Sequence, residues 1–161
     1  NKGQTMTTVL DGKTGAAGLF SAREMKVYRV TFALSACYNV VWGVVVILFP
    51  LLPFELARIA PPDALGILLW QCIGMFVLVY AVGYAYLAVD PLRYAPFALV
   101  ALLGKVLGPI GWVYGWWLGH LPGASGLTII TNDLIWWPVY GFFVWKTIFK
   151  PRGVTSAPVV A

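Results

Sequence analysis

The chain has 161 residues, of which 60% are hydrophobic and only 11% are charged, and its formal net charge is +5. An average soluble domain carries about 25% charged residues, so this chain has too little polar surface to coat a water-soluble globule. The composition therefore excludes an ordinary soluble domain and predicts an integral membrane protein. Nothing in the chain has the pattern of a nucleic-acid-binding module, so we expect no nucleic-acid partner.

Four long apolar runs follow a polar N-terminal tail at residues 1–24. Each run reaches the roughly 20 residues that a helix needs to cross a hydrocarbon layer about 30 Å thick. A segment in lipid must satisfy its own backbone, so we expect helices rather than strands. The predicted fold is all-α, an integral membrane four-helix bundle over residues 25–150 with a C-terminal tail at 151–161. Its spans are placed at about 27–49, 64–89, 94–119 and 127–149.

The segment between the first two spans, residues 50–63, is too rich in proline to continue a helix across the membrane. We expect this segment to lie along the membrane interface as a short helix. Its apolar side would then face the lipid, and Glu55 and Arg58 would face water.

Lysine and arginine residues are concentrated at one side of the predicted bundle, and the opposite side carries Arg58 alone. Basic flanks of this kind stay in the cytoplasm, so we expect a multi-pass protein of the inner (cytoplasmic) membrane with both termini cytoplasmic. The basic residues of this side are Lys2, Lys13, Arg23, Lys26, Arg29, Arg93, Lys146, Lys150 and Arg152. An aromatic belt is predicted at the other side, from Trp70, Trp116, Trp117, Trp136 and Trp137.

Five strongly polar side chains lie well inside the predicted spans. Counting helical turns places all of them in one layer, from the middle of the membrane to its outer half. Because they come from all four spans, they predict a shared polar site in the interior of the bundle. They are Asn39, Gln71, Lys105, Asn132 and Asp133.

Lys105 lies near the middle of the third span, where a charge costs about 2.5–3.5 kcal/mol and the side chain cannot reach water. Asp133 is the one carboxylate inside the spans, so we predict a Lys105–Asp133 pair. Side chains lean toward the N-terminus of their own helix, so the two point in opposite directions and a bridging water or amide is expected. The pair would act as a structural clamp, as part of a ligand, lipid or cofactor pocket, or in proton or solute chemistry.

Two prolines lie close to these charged residues. Pro109 removes the hydrogen bond to the carbonyl of Lys105, and Pro138 removes the one to the carbonyl of Leu134. We therefore expect kinks that line a small polar cavity, a pattern similar to the interrupted helices of transporters.

Small residues at four-residue spacing predict close approach between helices. Ser35, Asn39 and Gly43 share one face of the first span. The third span has two such series, so it is predicted either to be central or to dock another subunit through its glycine face. Its glycines are Gly104, Gly108, Gly111, Gly115 and Gly119.

His120 is the one histidine of the chain, which excludes bis-histidine haem ligation within a single chain. It is retained as a candidate single axial ligand for a haem or a chlorophyll. No residues have the spacing of metal ligands, so we expect no metal site.

The segments "LWQCIGM", "GKVLGPIGW" and "TNDLIWWPVYGF" resemble a family of small bacterial four-span membrane proteins whose general architecture is similar to that of DoxX-type proteins. The resemblance covers about residues 40–146. DoxX-type proteins are associated with quinone-linked sulfur or redox chemistry. The resemblance implies the four-span fold, and it assigns no catalytic residue.

Two functions are compatible with these observations. The first is an accessory subunit of a larger bacterial membrane complex, respiratory or photosynthetic, packed against other membrane subunits and lipids through its glycine- and tryptophan-rich faces. Contacts with lipid, quinone, carotenoid or chlorophyll are expected in such a complex. The alternative is a stand-alone transporter or a quinone- or lipid-linked membrane oxidoreductase that uses Lys105 and Asp133.

Overall fold

A computed structural model describes residues 19–150 of the chain, so the predicted tails lie largely outside the described residues. Every regular element in this range is helical, which confirms the predicted all-α class. The α-helices are α1 (Ala22–Leu48), α2 (Leu52–Ala57), α3 (Ala64–Val89), α4 (Ala95–Trp117), α5 (Gly126–Asn132) and α6 (Trp137–Val144).

Within residues 19–150, four helical segments are long and apolar enough to cross a membrane, as expected of a multi-pass membrane protein. Three of them are α1, α3 and α4. The fourth segment, Gly123–Phe149, contains α5 and α6 and, in addition, 3-10 turns at Gly123–Ser125 and Leu134–Trp136 and a π-helical turn at Trp145–Phe149. We call the end of the bundle where α1 and α4 begin the basal end, and the opposite end the apical end.

Helix α1 begins earlier than the predicted first span because "SARE" forms a capping box. The hydroxyl of Ser21 accepts a hydrogen bond from the backbone N–H of Glu24 (3.2 Å), and the carboxylate of Glu24 accepts one from the backbone N–H of Ser21 (2.7 Å). Two of the unpaired donors at the helix N-terminus are thereby satisfied. Residues 22–24, which the sequence places in the tail, therefore belong to the helix.

The proline-rich segment 50–63 contains the short helix α2, which lies at the apical end. The helix is followed by Arg58, whose backbone is left-handed (φ 55°). Glu55 and Arg58 are exposed, whereas the ring of Phe54 packs edge-on against Trp70 of α3 at 5.6 Å. This aromatic contact fixes α2 against the bundle.

Helices α1 and α3 are antiparallel and pack closely where two glycines meet. A Cβ atom on Gly43 would lie 2.6 Å from Cγ of Leu78 and 2.9 Å from the carbonyl oxygen of Gly74. A Cβ atom on Gly74 would lie 2.8 Å from Val46. The two backbones approach to a distance that only glycine permits, which is the packing that four-residue spacing of small residues predicts for Gly43.

Aromatic rings fill the basal half of the bundle and join α1, α3 and α6. Neighbouring rings lie at centroid distances of 4.9–6.3 Å, within the usual range for aromatic pairs. The rings belong to Phe20, Tyr28, Phe32, Tyr84, Tyr140 and Phe143, and all six residues are buried. Nearby, the ring of Phe97 on α4 lies directly over Gly83 of α3.

The glycines of α4 do not form one continuous packing face within the described residues. Gly108 lies against Asp133, and Gly115 lies against Leu121. Gly111 has no atom within 4 Å of the position of a Cβ, and Gly104 has only the ring of Tyr80, at 3.9 Å. Gly119 has a positive φ of 75°, so it belongs to the turn that follows the helix. The helix therefore ends at Trp117, before the predicted boundary.

The fourth segment is broken near its middle, whereas the sequence predicts one span at 127–149. Helix α5 ends at Asn132, Asp133 has φ −124° and ψ −58°, and α6 begins only at Trp137. Pro138 cannot donate a hydrogen bond to the carbonyl of Leu134. That carbonyl instead accepts one from the backbone N–H of Trp137 in a tighter 3-10 turn.

The glycine contact between α1 and α3 yields a test of the fold. We expect Gly43→Ala to lower the free energy of unfolding by about 1–3 kcal/mol, because the added methyl group overlaps Leu78 and the backbone of Gly74. Thermal unfolding of the protein in detergent measures this change. Gly111→Ala is the control; with open space around it, it should be neutral or stabilising. Equal effects of the two substitutions would contradict the packing.

Candidate functional site

A cavity of about 240 Å³ lies between α1, α3, α4 and the break in the fourth segment. Four of the five polar residues predicted to share a site line this cavity: Asn39, Lys105, Asn132 and Asp133. Gln71 lies elsewhere, since its side-chain amide donates a hydrogen bond to the carbonyl of Ile47 at 2.9 Å. That carbonyl belongs to the last turn of α1 and has no partner within its own helix.

Lys105 is buried (5% exposed) and its ammonium group is held by one carbonyl and three aromatic rings. Nζ donates a hydrogen bond of 2.9 Å to the backbone carbonyl of Asn132, at the last residue of α5. The same atom lies 5.5–6.0 Å from the ring centroids of Tyr84, Trp136 and Tyr140. A cation at this distance from a ring face is attracted by the ring quadrupole. The rings therefore stabilise the charge where water does not reach it.

Asp133 is also buried (4% exposed) and lies against α4. One carboxylate oxygen accepts a hydrogen bond from the side-chain amide of Asn132 at 3.1 Å. The other oxygen lies 3.0 Å from the position that a Cβ atom on Gly108 would take. Gly108 therefore leaves the space that the carboxylate needs beside α4.

Lys105 and Asp133 form no direct ion pair, in contrast to the simplest form of the predicted pair. Within residues 19–150 the one ion pair with an N–O distance of at most 4.0 Å joins Lys146 and Glu24. Asn132 connects the two groups instead, because its carbonyl accepts from Lys105 and its amide donates to Asp133. The helices are antiparallel, so the two side chains lean in opposite directions and an amide fills the gap.

Backbone carbonyls that lose their helical partners near the cavity are paired with side chains. The carbonyl of Lys105, which Pro109 leaves without a donor, accepts a hydrogen bond from the indole of Trp137 at 3.1 Å. The carbonyl of Thr131, at the break, accepts one from the indole of Trp136 at 3.2 Å. Both tryptophans belong to the predicted outer aromatic belt, and both turn their N–H toward the backbone of the bundle.

The cavity opens sideways between α3 and α4. Of the residues that line it, three are exposed, and all three lie on this side: Ile73 and Phe76 on α3 and Gly104 on α4. At its basal end, the cavity is bounded by Tyr84. The buried aromatic rings lie beyond Tyr84 and close the bundle there. The polar groups are therefore reached from the apolar flank of the protein.

Two buried hydroxyl groups lie next to the ring cage of Lys105. The hydroxyls of Ser35 and Tyr140 are both buried, at 1% and 0% exposure. They come from α1 and α6 and lie close enough to interact with each other. A buried hydroxyl is costly unless it has such a partner.

His120, the candidate axial ligand, lies outside this cavity. It is exposed in the turn after α4, and its backbone N–H donates to the carbonyl of Gly115 at 2.9 Å. In the described part of the chain, no group of three or more metal-binding side chains comes together. Axial ligation by His120 stays a prediction.

The sequence does not by itself predict the three rings around Lys105, although it contains part of the pattern. Aromatic residues follow Asp133 by three, four and seven positions, a spacing that puts side chains on one face of a helix: Trp136, Trp137 and Tyr140. Tyr84 comes from a different helix, and only the fold brings it next to Lys105.

Comparison of the chain with protein-family models, with curated proteins and with solved structures gives no match. The resemblance to DoxX-type proteins therefore stays an expectation from the quoted segments.

The indole cap on the carbonyl of Lys105 yields a second test. We expect Trp137→Phe to lower the free energy of unfolding by about 1–3 kcal/mol, because a buried carbonyl loses its donor. The same substitution should cost less than half as much when Pro109 is replaced by alanine, whose backbone N–H restores the helical hydrogen bond. Unfolding in detergent is measured for the original protein, the two single variants and the double variant. Trp117→Phe, at a residue 75% exposed, is the control. An identical cost with and without Pro109 would rule out this role.

Proposed function

We propose that this protein binds, within the membrane, the polar head of a small amphipathic molecule that enters from the surrounding lipid. One observation carries the proposal: hydrogen-bonding groups line a cavity whose exposed lining residues all lie on the apolar flank between α3 and α4. Such a cavity suits a molecule that is itself dissolved in the lipid. A polar ligand arriving from water would have to cross the hydrocarbon region first.

The residues of the cavity indicate the chemistry of the head group. An ammonium group has three N–H donors, and Lys105 uses one of them on the carbonyl of Asn132. The carboxylate of Asp133 accepts from Asn132 and keeps further acceptor capacity. A head that accepts from Lys105 and donates to Asp133, such as a carbonyl beside a hydroxyl, matches both. The hydroxyls of a quinol can accept from Lys105 and donate to Asp133, whereas the carbonyls of a quinone can only accept from Lys105. Both are in agreement with what the DoxX resemblance implies.

The size of the cavity favours binding of the head alone. Its volume of about 240 Å³ is below the roughly 300–1,000 Å³ of pockets that enclose a whole ligand. The apolar tail would leave between Phe76 and Gly104 and remain in the lipid. The buried rings at the basal end close the route to that side, which favours binding over transport across the membrane.

An accessory role in a larger bacterial membrane complex, respiratory or photosynthetic, is the second candidate, with both termini in the cytoplasm. The observation that favours it is the unoccupied glycine surface of α4. Gly104 and Gly111 are exposed with room for close approach, and Trp117 is 75% exposed beyond them. Small residues on an open helix face let a helix of another subunit pack closely. The two roles share Gly104, because a helix packed against it would cover the mouth of the cavity.

Ligand binding can be tested by introducing a larger side chain that blocks the mouth of the cavity. We expect decylubiquinone, added to the protein in nanodiscs, to bind and to change the tryptophan fluorescence. Gly104→Leu should weaken this binding at least 10-fold, because its side chain enters the mouth without altering a polar group. Gly111→Leu, on the same helix and equally open, is the matched control. Equal affinities of the two variants would contradict the proposed entry.

The polar groups can be tested by replacing both charges at once. Lys105→Met combined with Asp133→Leu removes both charges while keeping apolar volume. If the groups hold a ligand, the double variant should fold and bind decylubiquinone at least 10-fold more weakly. If they only clamp the helices, it should fold and bind as tightly as the original protein. Circular dichroism and the same fluorescence titration separate the two outcomes.

The accessory role has its own test. A subunit of a larger complex should co-migrate with larger partners when bacterial membranes are extracted in a mild detergent and separated on a native gel. Gly111→Leu should release it from those partners, since the leucine would block the open face of α4. Migration of the original protein purely as a monomer would count against this role.

A further inference from the structure

A second groove lies at the basal end, away from the central cavity. It has a volume of about 430 Å³ and runs between the first two turns of α1 and helix α6. Its walls are largely apolar and include Val27, Val139 and Phe142. Arg23 lies at its mouth, one helical turn before Val27.

The mouth of this groove carries positive charge that the described residues do not neutralise. Arg23 is the cationic residue that lines the groove; it is exposed and forms no ion pair within residues 19–150. Glu24 also lines the groove, but its carboxylate is already engaged on both oxygens. One oxygen accepts from Lys146 at 2.9 Å, and the other accepts from the backbone N–H of Ser21 at 2.7 Å.

Phe142, in the apolar wall of the groove, is contacted by the ammonium group of Lys146. Nζ of Lys146 lies 5.2 Å from the ring centroid of Phe142 and 4.9 Å from that of Phe20. The ion pair with Glu24 fixes the ammonium group between these rings. Phe142 therefore presents a supported apolar surface to the groove, directly beneath the cationic mouth.

We infer that this groove binds one acidic glycerophospholipid. An acyl chain lies between Val27, Val139 and Phe142, and the phosphate lies at Arg23. A guanidinium group pairs with two phosphate oxygens at once, which gives a geometry that a lone ammonium does not offer. The order of the groups, cationic at the helix start and apolar one turn further, matches the order of head and chain in a membrane leaflet. This inference does not depend on the ligand of the central cavity.

Native mass spectrometry of the full chain in mild detergent tests the inference. Phosphatidylglycerol and phosphatidylcholine with the same acyl chains are added separately. We expect one phosphatidylglycerol to bind at least 10-fold more tightly than phosphatidylcholine. Arg23→Gln should remove most of this preference, since only the head-group contact is lost. Val139→Trp should weaken both lipids by filling the groove.

Arg93→Gln is the matched control, because Arg93 lies at the same end of the bundle, over the ring of Tyr94 and outside the groove. It should leave the preference for phosphatidylglycerol unchanged, and unchanged thermal unfolding of each variant excludes a loss of fold. Equal binding of the two lipids by the original protein would overturn the inference. An equal loss for Arg23→Gln and Arg93→Gln would also overturn it, because the attraction would then come from net charge alone.

Discussion

The burial of one ammonium group, that of Lys105, is the constraint on which the centre of this bundle depends. A charge halfway along an apolar helix needs partners that do not require water, and the protein provides a backbone carbonyl and three ring faces. The carbonyl is available only because α5 stops at Asn132. In a continuous helix, that oxygen would accept a hydrogen bond from its own backbone four residues later. The break in the fourth segment is therefore part of the solution to the buried charge.

The break and Pro109 expose backbone groups that must themselves be satisfied. The indoles of Trp136 and Trp137 supply the missing donors to the carbonyls of Thr131 and Lys105. The interruption also carries Asp133 into the interior, where Gly108 gives it room. A cavity with a donor and an acceptor follows directly from these adjustments. The proposed binding site thus uses the groups that allow the charge to be buried.

Hydropathy and helix rise predict four long apolar helices and predict that Asn39, Lys105, Asn132 and Asp133 meet, because both depend on distance along the helix axis. Gln71 is the exception: its amide contacts the carbonyl of Ile47 in the last turn of α1, eight residues beyond Asn39, so it lies toward the apical end and outside the cavity. The convergence of Lys105 and Asp133 was expected from their shared depth, but the break between α5 and α6 determines that an amide joins them. The sequence also does not show that the indole of Trp137 donates to the carbonyl of Lys105, because that contact depends on how two helices are rotated toward each other.

The ion pair between Glu24 and Lys146 has a consequence for how the chain reaches its final form. These residues are 122 positions apart, near the first and the last turns of the bundle. When the first helix leaves the ribosome, Glu24 has its capping serine beside it, but its ion-pair partner Lys146 has not yet been made. That cation arrives only when the last helix has been synthesised and inserted. Closure of the helical ring is therefore a late event in biogenesis, and a truncated nascent chain would remain open along the seam between its first and last helices.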